Sequence, residues 1–223
     1  MSVRPLPRVL ETEVMDTREE ACDYDAMDHG AVNQVFVADF VSIWDGHNPI
    51  LDVGTGTAQI PIELCRKAAA AQVVAIDMAR AMLHVGQDNV RRAGLEGRLR
   101  LELGDAKSLS YADQTYGAVI SNSIVHHIPE PERVLAEMLR VLGLGGTLFI
   151  RDLLRPGDEA TLQHLVSTHA GDANPHQRQM FADSLHAALT LAEVRQMVAN
   201  LGCPPPSVQQ TSDRHWTWHF KPV

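Results

Sequence analysis

The first long apolar pattern runs through residues 31–44, where Val32, Val35, Phe36, Phe40 and Ile43 recur near helical spacing. A helix would carry them on one face, and Asp45, Gly46, His47, Asn48 and Pro49 would end it. From residue 50 the pattern changes. Short apolar runs at 50–53, 72–76, 99–103, 118–121 and 147–151 read as strands. Amphipathic stretches at 59–71, 79–93 and 132–142 lie between them and read as helices. That alternation predicts βαβ units and an α/β fold with a doubly wound parallel sheet covered on both faces.

Residues 156–189 do not alternate this way. They are polar and helix-prone, with a break at 171–175. Thr190 and Glu193 have the spacing of a capping box, for a helix that ends at Gly202. Pro204, Pro205 and Pro206 form a stiff connector, and two strands follow near 208–211 and 215–220. In the second, Trp216 and Trp218 alternate with Thr217 and His219. Residues 1–20 mix proline, arginine and acids and read as a loosely packed arm.

Composition narrows the function. Of 223 residues, 45% are hydrophobic and 21% charged, so a substantial core can form. The formal charge is −9, which disfavours a broad nucleic-acid footprint. Cys22, Cys65 and Cys203 are far apart, which suits a reducing cytoplasm rather than a disulfide framework. No signal-peptide core and no apolar run long enough to cross a bilayer is visible, so membrane insertion is not expected.

The sharpest chemical signal is the run Asp52, Val53, Gly54, Thr55, Gly56, Thr57, Ala58, where an apolar strand enters a glycine turn and a helix follows. Glycine lets the backbone approach a ligand closely. Asp77 closes the next strand, 21 residues beyond Gly56, where a carboxylate can accept both hydroxyl protons of a ribose. A dinucleotide fingerprint needs a third glycine at position 59, but Gln59 stands there.

The small residue is Ala58 instead, and the turn resembles that of class I S-adenosylmethionine-dependent methyltransferases. The likeness extends through Gly104, Asp105 and Ala106, through Asn122 to Ile128, and through 139–150, covering roughly 48–155. It is closest to the quinone C-methyltransferase-like, small-molecule branch. The resemblance implies a Rossmann-like seven-stranded sheet in the order 3-2-1-4-5-7-6, the last strand antiparallel. It also implies the cofactor S-adenosylmethionine, released as S-adenosylhomocysteine.

On that resemblance the chain divides into four segments. Residues 1–47 form an N-terminal arm and lid helices, and 48–155 the cofactor-binding core. Residues 156–189 form a helical insert serving as acceptor lid, and 190–223 complete the sheet. Cofactor residues would be Asp52, Gly54, Thr55, Gly56, Asp77, Met78, Gly104, Asp105, Ala106, Asn122, Ser123 and His127.

The acceptor side is less determined. His126 and Asp152 are the catalytic candidates, since imidazole titrates near neutrality. Tyr24, expected before the first helix, is a substrate candidate with Arg151, Arg214 and Trp216. No metal is expected: no ligand spacing appears among the eleven histidines, and adjacent His126 and His127 should point apart. In-line methyl transfer depends mainly on positioning, so no universal catalytic residue is required. A small-molecule acceptor is expected, on a monomer or homodimer. Two other readings stay open: a nicotinamide-dependent oxidoreductase, and a non-catalytic cofactor-binding or partner-binding protein.

Overall fold

The computed structural model describes residues 6–11, 16–27 and 29–222. The strands are β1 (Ile50–Val53), β2 (Val73–Asp77), β3 (Leu99–Leu103), β4 (Tyr116–Asn122), β5 (Leu142–Leu153), β6 (Val208–Gln210) and β7 (His215–Phe220). They form one sheet in the order β3-β2-β1-β4-β5-β7-β6, the order the resemblance implies. β1 pairs in parallel with β2 and β4, β2 in parallel with β3, and β6 runs antiparallel to β7. Helices cover both sides. The direction of winding reverses between β1 and β4, where open α/β sheets bind ligands beyond their carboxyl ends.

Eight α-helices are present among the described residues: α1 (Arg18–Asp25), α2 (Gly30–Ile43), α3 (Gln59–Lys67), α4 (Arg80–Ala93), α5 (Pro131–Val141), α6 (Glu159–His169), α7 (Pro175–Ala187) and α8 (Leu191–Asn200). The chain groups into two compact units. One takes the described residues of Glu13–Asn122, Arg133–Ile150 and His219–Val223. Its core gathers Phe36, Phe40, Ile50, Val73, Ile120 and Phe149, with Phe36 edge-on to Phe149 at 5.1 Å. The other takes those of Met1–Thr12, Ser123–Glu132 and Arg151–Trp218. There Leu153, Leu162, Leu165, Val166, Leu185 and Ala188 pack together, with Leu6 against them.

Several expected boundaries move, each for a local reason. The arm expected over 1–20 gives way to α1 at Arg18; its stretches 1–5 and 12–15 lie outside the described residues. Thr17 and Glu20 close a reciprocal capping box that starts this helix. Tyr24 therefore sits within a helix, not before the first one. α3 stops at Lys67 rather than running through the alanines to 71, because other side chains take the carbonyls there. Arg98 donates to the carbonyls of Cys65, Ala68 and Ala69, and Asn48 to that of Ala70. β5 begins at Leu142, well before the expected Thr147. Gly145, at φ +70°, lets the strand continue while its N–H reaches the carbonyl of Pro222 at 2.8 Å.

Gly117 in β4 marks a close backbone crossing. A Cβ there would lie 2.6 Å from the carbonyl carbon of His47 and 2.8 Å from its oxygen. Gly117→Ala is expected to cost about 1–3 kcal/mol by overpacking, measured as a lowered urea midpoint at unchanged slope.

Candidate active site

β1 is buried along its whole length, although Asp52 is one of its four residues. Burial is the main cause that pushes the Asp52 carboxyl up to about 7. The nearby Thr55 side chain works against this, and the neighbouring charge of Asp77 adds to it. Oδ2 of Asp52 is buried without a hydrogen-bond partner, as are the hydroxyls of Thr55 and Thr57 on the same turn. The turn itself needs left-handed backbone at Gly54 (φ +79°), Gly56 (φ +55°) and Ala58 (φ +65°). Ala58 is wholly buried, and a Cβ on Gly86 of α4 would come within 3.4 Å of its methyl group.

Asp77 closes β2 beside this turn. Its Oδ2 accepts the Gly56 N–H at 2.8 Å and its Oδ1 the Ala79 N–H at 2.9 Å. Burial raises its pKa, and these backbone donors only partly offset that. Each carboxylate oxygen offers a second lone pair for a further donor. Two buried acids and one unpartnered oxygen around an open glycine turn make a place suited to hydroxyls and to a cation.

Tyr24 of α1 covers the turn: a Cβ on Gly56 would stand 3.6 Å from its Cε1. Burial, then the charges of Asp77, Asp25 and Asp52, raise the Tyr24 pKa, so its hydroxyl stays neutral. An amide clamp holds α1 there. Gln59 Nε2 donates to the Asp25 carbonyl and to Asp25 Oδ1, both at 3.1 Å. Asn89 Nδ2 donates to Asp25 Oδ1 at 2.8 Å and to the Thr57 carbonyl at 2.9 Å. Asn33 completes it by donating to Gln59 Oε1 at 3.2 Å. The residue that breaks the dinucleotide fingerprint thus ties α1 to the turn.

Past β3, Asp105 Oδ1 accepts the Lys107 N–H at 2.9 Å and pairs with its Nζ at 2.8 Å, which holds the carboxyl below its usual value. Gly104 packs on the Ile76 side chain, Ala106 is half-buried, and Met78 is 48% exposed. Asn122, half-buried, ends β4.

The second unit holds the remaining candidates. Ser123 adopts φ +57°, uncommon for a non-glycine residue, and its N–H reaches the Arg151 carbonyl at 2.9 Å. Asp152 is wholly buried and saturated. It accepts N–H groups of Val125 and Leu153 at 2.6 Å and of His126 at 3.4 Å, and it pairs with His126 Nδ1 at 2.6 Å. Burial alone would lower His126, but the charge and hydrogen bond of Asp152 raise its pKa. Burial alone would raise Asp152, and His126 instead brings it below the usual carboxylate range.

Adjacent His126 and His127 do not point apart, contrary to the sequence expectation. A 3-10 turn over Val125–His127 sets their ring centroids 3.9 Å from each other. His127 Nδ1 lies 2.7 Å from Glu11 Oε2, so this ring is engaged by a carboxylate. Glu11 carried no signal in the sequence, being 115 residues distant from His126.

After burial itself, Arg214 and Arg151 both lower the pKa of His215, and each already has partners. Arg151 Nε donates to Thr217 Oγ1 at 3.0 Å. Arg214 Nη1 meets His169 Nε2 at 2.9 Å and Asp213 Oδ1 at 3.2 Å. Trp216 is 0% exposed, which makes it a core residue with no surface to offer an acceptor.

Residues 51–150 match the family model described as a methyltransferase domain. Methyltransferase GfsG of Streptomyces halstedii is 38% identical over 112 residues, covering 50% of this chain and 40% of that protein. The ubiquinone/menaquinone biosynthesis C-methyltransferase UbiE of Idiomarina loihiensis is 30% identical over 145 residues, covering 65% and 57%. The chain spans about half the length of the curated relatives it matches. Among solved structures, the plantazolicin methyltransferase BpumL, in complex with SAH, superposes with a TM-score of 0.73 at 17% identity. That likeness covers 94% of this chain and 91% of the other.

Proposed function

From the match of residues 51–150 to a methyltransferase-domain model and from the acids at the glycine turn, we propose that this chain is a class I S-adenosylmethionine-dependent methyltransferase that methylates a small-molecule acceptor. The observation that carries the reading is the pair of buried acids at the glycine turn, Asp52 with an unpartnered oxygen and Asp77 with lone pairs to spare. A ligand with a ribose and a cationic amino-acid end satisfies both.

Gly54, Thr55 and Gly56 hold the amino-acid end by backbone groups, with Asp52 as counter-charge. Asp77 takes the ribose hydroxyls. Met78, Gly104, Asp105 and Ala106 flank the adenine, and Asn122 and Ser123 follow β4 toward the reacting carbon. When bound, S-adenosylmethionine supplies an activated methyl group for in-line displacement. The chain's own contribution is chiefly position and exclusion of water.

His126, oriented by Asp152, is the polar group for the acceptor. Asp152 acts through it, since its oxygens are already occupied. Arg151 and Arg214 remain acceptor contacts in this reading. α6 and α7 lie within the expected lid at 156–189. No described helix is long and apolar enough to cross a membrane. A cytoplasmic monomer or homodimer acting on a small molecule, not on nucleic acid, fits this with the charge of −9 and three free cysteines.

Thermal unfolding with S-adenosylhomocysteine tests the reading. At 100 times its dissociation constant a ligand stabilises by about 2.7 kcal/mol, on the order of 5–10 °C for a chain of this size. That shift is expected with S-adenosylhomocysteine and not with NADH, and it should weaken in Asp77→Ala by about 1–3 kcal/mol of binding. A shift with NADH alone would return the nicotinamide reading. A shift with S-adenosylhomocysteine but no turnover across a broad acceptor panel would favour the non-catalytic one.

A further inference from the structure

We propose that Glu11, His126 and His127 form a binding site for a first-row divalent metal ion, zinc by preference. One ligand atom from each can be chosen so that all lie within 4.8 Å of one another. Around a zinc ion with bonds near 2.1 Å, ligand atoms stand roughly 3.5 Å apart, so small side-chain rotations close the set. The residues that must rotate are those with room to do so: the side chain of His127 is 35% exposed and that of Glu11 17%. His126 is the fixed member, 3% exposed.

Three further features point the same way. Glu11 Oε1 is buried and makes no hydrogen bond, while its other oxygen meets His127. A carboxylate with one unpartnered oxygen turned inward has the chemistry of a ligand awaiting a cation. His126 is held through Nδ1 by Asp152, which leaves Nε2 as its donor atom. A carboxylate behind an imidazole fixes ring and tautomer and strengthens the nitrogen as a ligand. Finally, the 3-10 turn presents the two rings together, so little order is lost in assembling them.

Two imidazoles and one carboxylate suit zinc, cobalt, nickel or iron rather than magnesium or calcium. Three protein ligands leave a position open for an exogenous oxygen or nitrogen. The site shares His126 with the methyl-transfer reading and engages His127, a cofactor candidate of the sequence, while Glu11 has no part in that reading. His126 Nε2 can hold a proton or a metal, not both, so occupancy would decide how this residue meets an acceptor.

Cobalt(II) titration of the chelator-treated full chain tests the proposal. One equivalent should bind, with visible bands of low-coordinate cobalt that zinc abolishes. Glu11→Gln and His127→Gln should each weaken binding tenfold or more, with far-ultraviolet dichroism unchanged. His164→Gln, an exposed histidine on α6, should leave it intact. Absence of cobalt bands in the folded protein would overturn the site. So would binding that both substitutions leave unaltered, and Glu11 and His127 would then form no more than an imidazole–carboxylate pair.

Discussion

Asp152→Ala is expected to destabilise the fold by about 3–5 kcal/mol, because it strips the partner from a buried charge. The side chains of Asp152 and His126 are 1% and 3% exposed. Removing the carboxylate also abandons the N–H groups of Val125 and Leu153, each of which now donates to it at 2.6 Å. Buried donors without partners keep their full desolvation cost. The unfolding midpoint should fall by something on the order of 10 °C. Asp152→Asn keeps the shape and should cost less, which separates lost charge from lost hydrogen bonds.

The pH dependence follows from the two opposite shifts. Asp152 is held below its ordinary value of 3.8, so its contribution is present above that value and fades as pH falls through the lowered one. His126 is held above its ordinary 6.5, so its contribution is present below that value and fades as pH rises through the raised one. The pair therefore stabilises fully between 3.8 and 6.5. Urea unfolding at a series of pH values should show the gap between wild type and Asp152→Asn widest inside that window. A gap that does not vary with pH would remove the charged pair from the account.

Asp52→Asn should weaken S-adenosylhomocysteine binding at least tenfold at pH 8 and yet stabilise the ligand-free protein there. Burial pushes the Asp52 carboxyl up to about 7, far above the 3.8 it has when unfolded. Between those values the folded form holds a proton that the unfolded form has released, so stability falls as pH rises through 7. A neutral amide escapes that penalty. Binding runs the other way, because the ligand's ammonium group needs the ionised acid. Wild-type affinity should drop below pH 7, approaching tenfold per unit, while Asp52→Asn stays flat. Calorimetric titration at pH 5.5 and 8 decides it: equal slopes in both proteins would take Asp52 out of the binding step. The trade is the familiar one of a site kept at some expense to stability.

Much of the sheet was legible because its strands are short apolar runs between turn residues. β1, β3 and β7 fall where the pattern places them. The glycine turn and Asp77 were legible for another reason, since a backbone requirement and a fixed spacing both leave marks in the chain. α1 was not. It is short and polar, and its one local signal was the spacing of Thr17 and Glu20. The alanines after Lys67 misled because helix propensity yields to tertiary capture of carbonyls, here by Arg98 and Asn48. The neighbours of His127 could not be read at all. Glu11 meets it across 116 positions of chain, and no periodicity records such a meeting.

The amide clamp on Asp25 has a consequence for the order of events at the glycine turn. Gln59 and Asn89 join α1 to Thr57 and to the first residue of α3, so cover and cradle share their hydrogen bonds. Two equilibria that share bonds are linked, and linkage is reciprocal. Whatever free energy an arriving ligand spends on ordering α1, an ordered α1 returns as tighter binding of that ligand. Affinity at the turn thus depends on three amide side chains outside it as well as on the glycines within it.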